Sequence, residues 1–170
     1  MLQICHQEIT YDHFKFLFSK VKAVYLYECV VRKKNDEIVP FEKLVKSLRK
    51  IKKIHFYDNP SYSSITSNTV KELLKIPHIP KITEVILEKL PEKLDLETFH
   101  IYFKRNEHTK FRIRFQNTIS ETYKIRIEAV VDEIIATKNH DYKIPNIGFA
   151  GLPNEKWGKI DSLIRQQNKQ

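Results

Sequence analysis

The chain has 170 residues, 41% hydrophobic and 30% charged, with a net charge of +9. That length and balance suit one domain, 1–170, with a sizeable core, and they exclude a disordered chain. Only three glycines are present, and neither G-x-G-x-x-G nor G-x-x-x-x-G-K-[ST] occurs, which argues against a backbone phosphate cradle.

The start, Met1 to His6, lacks the apolar core of a secretory signal, and no window approaches the roughly 18 apolar residues of a membrane span. Cys5 and Cys29 are too few for a disulfide framework. A cytoplasmic or nuclear protein with no membrane partner is expected.

A first helix, Tyr11–Ser19, capped by Thr10, is predicted to bury Phe14, Leu17 and Phe18. Five segments then alternate apolar and polar residues, as half-buried strands do: Lys22–Tyr27, Lys53–Asp58, Glu84–Glu88, Lys110–Gln116 and Asn146–Ala150. Taking Val24, Ile54, Val85, Ile113 and Ile147 as equivalent points, the steps are about 30 residues, a solenoid-like period.

Helical spacing fills the intervals. Phe41, Leu44, Val45 and Leu48 follow Pro40; Val70, Leu73 and Leu74 follow Ser67 as N-cap and end before Pro77 and Pro80. Asp95 caps a helix with Leu96, Phe99 and Phe103. Ser120 caps the longest one, with Tyr123, Ile127, Val130, Val131, Ile134 and Ile135 as its stripe. Trp157, Ile160 and Ile164 predict a last amphipathic turn or two after Pro153. Asn59–Ser64 and His140–Pro145 are expected as surface loops, and Gln166–Gln170 as a fraying end.

Strands joined through helices run parallel, with right-handed crossovers. A sheet covered on both faces would show continuous apolar runs. Here the second face carries Tyr25, Tyr27, His55, Tyr57, Glu84, Glu88, Arg112 and Arg114. The expected fold is α/β: irregular strand–helix units with a mostly parallel sheet and helices on one face, a short leucine-rich-repeat-like solenoid. The L-x-x-L-x-L-x-x-N signature is absent.

Chemistry finds little support in these residues. No C-x-x-C, H-x-x-x-H, H-E-x-x-H or G-x-S-x-G occurs, and the seven histidines are scattered. Asp132-Glu133 and Asp36-Glu37 are adjacent pairs, which do not point together. The expectation is no enzyme, no metal and no cofactor.

Binding has one positive feature, since tyrosine and arginine are enriched at interaction hot spots. Stacked in order, the strands would join Tyr25, Tyr27, His55, Tyr57, Ile86, Arg112 and Arg114 into a partner-binding patch for a protein. The plainer reading pairs Arg112 and Arg114 with Glu84 and Glu88 across strands. The alternative function is a basic nucleic-acid-binding module using Lys46, Arg49, Lys50, Lys52 and Lys53 with Arg112 and Arg114, although a lysine-rich solvated face explains that cluster and nucleic acid is not the expected partner.

Several stretches carry a family likeness. Ile65–Ile79 (ITSNTVKELLKIPHI), Leu94–Lys110 (LDLETFHIYFKRNEHTK), Ile119–Ile135 (ISETYKIRIEAVVDEII) and His140–Leu152 (HDYKIPNIGFAGL) resemble the C-terminal region of nematode F-box proteins, the F-box-associated FTH class. The likeness is strongest over 65–152, and Lys20–Cys29 fits the preceding strand region. The resemblance implies a substrate-recruiting domain of a cullin-based ubiquitin ligase. In that family an N-terminal F-box binds a Skp-type adaptor. The first twenty residues here hold one short helix and lack the Leu-Pro opening and three-helix length of that motif, so the Skp-type adaptor is expected as a partner only if an F-box exists elsewhere.

Overall fold

The computed structural model describes residues 1–169. Its main body is a six-stranded, wholly parallel sheet in the order β1 (Leu2–Cys5), β3 (Ala23–Tyr27), β5 (Lys53–Tyr57), β6 (Glu84–Leu90), β7 (Lys110–Phe115) and β8 (Asn146–Phe149). Each new strand is laid beside the previous one, with no reversal of order. Two three-residue strands, β2 (Glu8–Thr10) and β4 (Val30–Arg32), pair in parallel as a small second sheet.

The alternation in the strands decides what each face meets. Val24, Leu26, Ile54, Phe56, Val85, Leu87, Phe111, Ile113 and Ile147 point to one side and are buried in a single core. Against them pack α1 (Tyr11–Phe18), α2 (Phe41–Ser47), α3 (Thr69–Leu73), α4 (Leu96–Phe103) and α5 (Glu121–Ala136). The α/β class, the parallel sheet and the predominantly one-sided helical layer agree with expectation.

Three of the predicted caps form. The side chains of Thr10, Asp95 and Ser120 accept hydrogen bonds from the backbone N–H groups of His13, Thr98 and Tyr123. The third helix starts later than predicted: Asn68, not Ser67, is its cap position, and the helix spans only Thr69–Leu73. Leu17 is 46% exposed, because Phe14 and Phe18 already fill the stripe of α1 that faces the sheet. His140–Pro145 is not a plain surface loop, since Tyr142, Ile144 and Pro145 are buried.

The register corrects one equivalence. Val24, Ile54 and Val85 do align, but Val85 faces Phe111, while Ile113 faces Leu87. A shift of two residues keeps every side chain on its face, so alternation alone cannot detect it.

A recurring kink shapes the ends of the strands. His6, Glu28 and Lys89 have φ of 50°, 50° and 53°, the left-handed region that non-glycine residues seldom occupy. His6 separates β1 from β2 and Glu28 separates β3 from β4. Leu2 pairs with Val24 and Glu8 with Val30 at the same sequence offset, so both strands turn together and keep register through the bend. Lys89 marks a register shift within β6.

The last helix, α6 (Asn154–Gln167), is four turns long rather than one or two, and reaches into the stretch expected to fray; Gln170 lies outside the described residues. Ile160 is fully buried, and Lys156 bonds Glu128 and Asp132 of α5. This helix departs from the one-sided layer. Its first turn swings over the β8 edge, so that Trp157 lies against Gly148 on the side the other helices leave free.

Candidate functional site: the open face of the sheet

The strand residues that point away from the core make the exposed side of the sheet. Parallel register sets Tyr25 beside His55 and Tyr27 beside Tyr57. Their rings touch: Tyr25 and His55 have centroids 4.3 Å apart, and Tyr27 and Tyr57 stack at 4.3 Å with 25° between planes. His6 adds an edge contact to Tyr27 at 5.0 Å. Neighbouring parallel strands lie near van der Waals stacking distance, so rings on adjacent strands meet without strain.

Polar groups surround this aromatic ridge. His55 Nε2 lies 2.8 Å from Glu84, which also pairs with Lys53 at 3.7 Å. The hydrogen bond to His55 and the charge of Lys53 hold the Glu84 carboxyl below its ordinary range. At the kinks, Lys89 Nζ donates to Glu28 at 2.9 Å and lies over the Tyr57 ring, while His6 approaches the same carboxylate at 3.4 Å. Burial beside Tyr27 pushes the Tyr57 hydroxyl up from its usual pKa.

The two arginines behave differently. Arg112 pairs with Glu88 at 3.2 Å yet keeps 56% of its side chain exposed. Glu88 is 19% exposed, and burial raises its carboxyl against the opposing pull of Arg112 and Arg114. Arg114 is tied down: it donates to the carbonyls of Ile113 and Asn146 at 3.0 and 2.9 Å and to the Asn146 side chain, and it lies 4.1 Å from the Trp157 ring centroid. Desolvation there lowers its pKa to about 10.

Two shallow depressions mark the surface. One, of about 420 Å³, is lined by Gln3, Tyr25, Tyr27, His55, Tyr57 and Ile86. The other, of about 380 Å³, lies between Lys89, Arg114, Gln116 and Trp157. They share Tyr57, Glu88 and Arg112. All seven sequence-predicted residues therefore share one face, and six of them form its accessible part. Arg114 is the exception, serving as a seat for α6.

Sequence reasoning missed Gln3, His6, Glu28 and Lys89. The kinks bring the last three together, and no local pattern announces a left-handed residue at those positions. The Arg112–Glu88 ion pair matches the plainer reading of that arginine. Glu84 pairs instead with His55 and Lys53.

Cys5 pairs in register with Tyr27 and so stands on this face, half-buried, where its Sγ accepts from Gln3 Nε2 at 3.3 Å. Cys29 is buried, and burial raises its thiol. Among the described residues, no group of three or more His, Cys, Asp or Glu side chains is placed to hold a metal ion, and no helix is long and apolar enough to cross a membrane. Parallel α/β sheets ordinarily bind small ligands where strand order reverses, beyond the strands' C-terminal ends. The sequential order here creates no such crevice.

Comparison with known proteins finds no matching family model, no matching curated protein and no matching solved structure. The likeness to the F-box-associated class rests on the quoted stretches alone.

Proposed function

We propose that this chain is a non-catalytic protein-interaction domain that holds its partner on the open face. One observation carries the reading: two aromatic pairs, Tyr27–Tyr57 stacked and Tyr25–His55 tilted but in ring contact, stand preformed on a sheet side that α1 to α5 leave uncovered. Rings already fixed by their neighbours lose little conformational freedom on binding, which favours them as anchors. A partner segment laid across the strands would rest apolar groups on Tyr25, His55 and Ile86 and present a carboxylate or carbonyl to Arg112. In the F-box-associated reading, the domain's contribution is positional, holding a target near a ubiquitin ligase while other subunits perform the transfer.

The test compares proteins captured by the wild-type chain, by Tyr27→Ala/Tyr57→Ala/Arg112→Ala, and by a control, Ile125→Ser, on the exposed side of α5. Candidates lost only with the triple variant are then titrated as purified proteins. If even one of the three side chains is a hot spot, its loss should weaken such a partner at least about 30-fold, with the far-ultraviolet spectrum and melting curve showing an intact fold. Equal affinity of all three proteins for every purified candidate would move the interaction to another surface.

A further inference from the structure

The charge is not spread evenly over the fold. Because the six strands run parallel in chain order, all their N-terminal ends lie along one rim. Backbone bonds trace that rim: Lys52 and Lys53 N–H donate to the Lys22 carbonyl, Thr83 N–H to Lys52, Lys110 N–H to Thr83 and Lys143 N–H to Asn106. The segments feeding the strands there, 19–22, 49–53, 81–84, 105–110 and 138–143, hold eleven lysines and arginines against three carboxylates, Glu84, Glu107 and Asp141. At the opposite rim, 28, 58–60, 89–93, 116–120 and 150–154 hold two lysines and three carboxylates.

The basic rim is largely uncompensated. Among the described residues, Lys22, Lys50, Lys52, Lys81, Arg105 and Lys110 are exposed and take part in no ion pair, whereas Lys53 has Glu84. The spacing is that of neighbouring strands, so these cations form a row rather than a pocket.

Exposed apolar side chains stand beside the same rim, at the chain start and on the helix ends that reach it. Met1 precedes Leu2, the partner of Val24, and is 85% exposed. Phe16, 81% exposed, and Leu17 occupy the last turn of α1, just before Lys20 and Lys22. Ile101, 55% exposed, occupies the last turn of α4, just before Arg105. A phosphate backbone offers such residues nothing. The headgroup–acyl boundary of a bilayer accepts them while the lysines remain among its anionic headgroups.

We propose that the N-terminal rim of the sheet docks on an anionic lipid bilayer, with Phe16 inserted at the headgroup boundary and the lysine row against the negative surface. No spanning helix is needed, and the contact departs from the sequence-based expectation of no membrane partner. It leaves the Tyr27–Tyr57 ridge, on the sheet's open face, free for a protein partner.

Co-sedimentation of the full chain with phosphatidylserine–phosphatidylcholine vesicles, against pure phosphatidylcholine vesicles, tests it at low and high salt. Wild type should sediment with the anionic vesicles only, and less at high salt. Each rim lysine contributes about fivefold to partitioning, so Lys22→Glu/Lys50→Glu/Lys110→Glu should lose about a hundredfold or more. Phe16→Ser should lose severalfold with its salt dependence retained. All these positions are exposed, so the variants should stay folded and melt no lower than wild type, which is measured alongside. Wild type left in the supernatant at low salt overturns the proposal. So does equal sedimentation of wild type and Phe16→Ser; a DNA duplex that then competed the protein off the vesicles would mark a polynucleotide as the rim's ligand.

Discussion

Asp58 is the residue whose environment conflicts most with its charge. It is 1% exposed, accepts from Ser63 Oγ at 2.5 Å and from Ser64 N–H at 3.3 Å, and has no cation beside it. Desolvation outweighs those two bonds and raises its pKa to about 6. Because the folded value lies above the unfolded one, the protonated form is the one the fold favours. This group's stabilisation is therefore complete below the unfolded pKa of about 3.9 and is lost as pH rises through about 6. Asp58→Asn keeps the shape and removes the charge, so it should gain about 2 kcal/mol over wild type near pH 7.5 and nothing near pH 4. Denaturant melts of both proteins at the two pH values would show it; a gain that is the same at both would refute the charge argument. The same scale shows why the open face was mostly legible in the sequence. Tyr25, Tyr27, His55, Tyr57, Ile86 and Arg112 follow from strand alternation, which assigns a face to each side chain. The burial of Arg114 does not, because it depends on a helix more than forty residues later.

At the level of elements, α6 is what alternation could not foresee. Its apolar positions are few, Trp157, Ile160, Leu163 and Ile164, because it packs mainly on α5 and the β8 edge. A sparse stripe predicts a short element, and the real one has 14 residues. β2 and β4 were invisible for a different reason, since three residues are too few to establish a period. The docking of α6 depends on Gly148. A Cβ there would stand 2.4 Å and 2.7 Å from ring atoms of Trp157 and 3.1 Å from Leu152, so the ring must leave its place over Arg114. Gly148→Ala should cost about 1–3 kcal/mol through this overpacking. Trp157 is the only tryptophan, so its fluorescence reports the displacement directly, as a red shift. An unchanged emission maximum with an unchanged melting temperature would mean that α6 is not anchored at this glycine.

For the whole molecule, the opposing terms are the net charge of +9 and the ion pairs that offset it. Many of those pairs are local and exposed, such as Lys33–Glu37, Lys75–Glu72 and Lys159–Glu155, and water screens them so that each contributes little. Repulsion along the lysine rim is not local. Parallel order brings Lys22, Lys52 and Lys110 into line from segments far apart in sequence, so unfolding separates them. At about 10 mM salt the screening length is roughly 30 Å, long enough for each rim cation to feel the whole row; at about 150 mM it is roughly 8 Å. Salt therefore weakens both terms, but the long-range repulsion falls more than the contact pairs. The melting temperature should rise by a few degrees between those two conditions. Lys52→Gln, which removes one cation from the row's middle, should raise the low-salt melting temperature and shrink its salt dependence. A melting temperature that falls with salt in wild type would show that contact pairs dominate, and that the rim is too dispersed to act as one electrostatic surface.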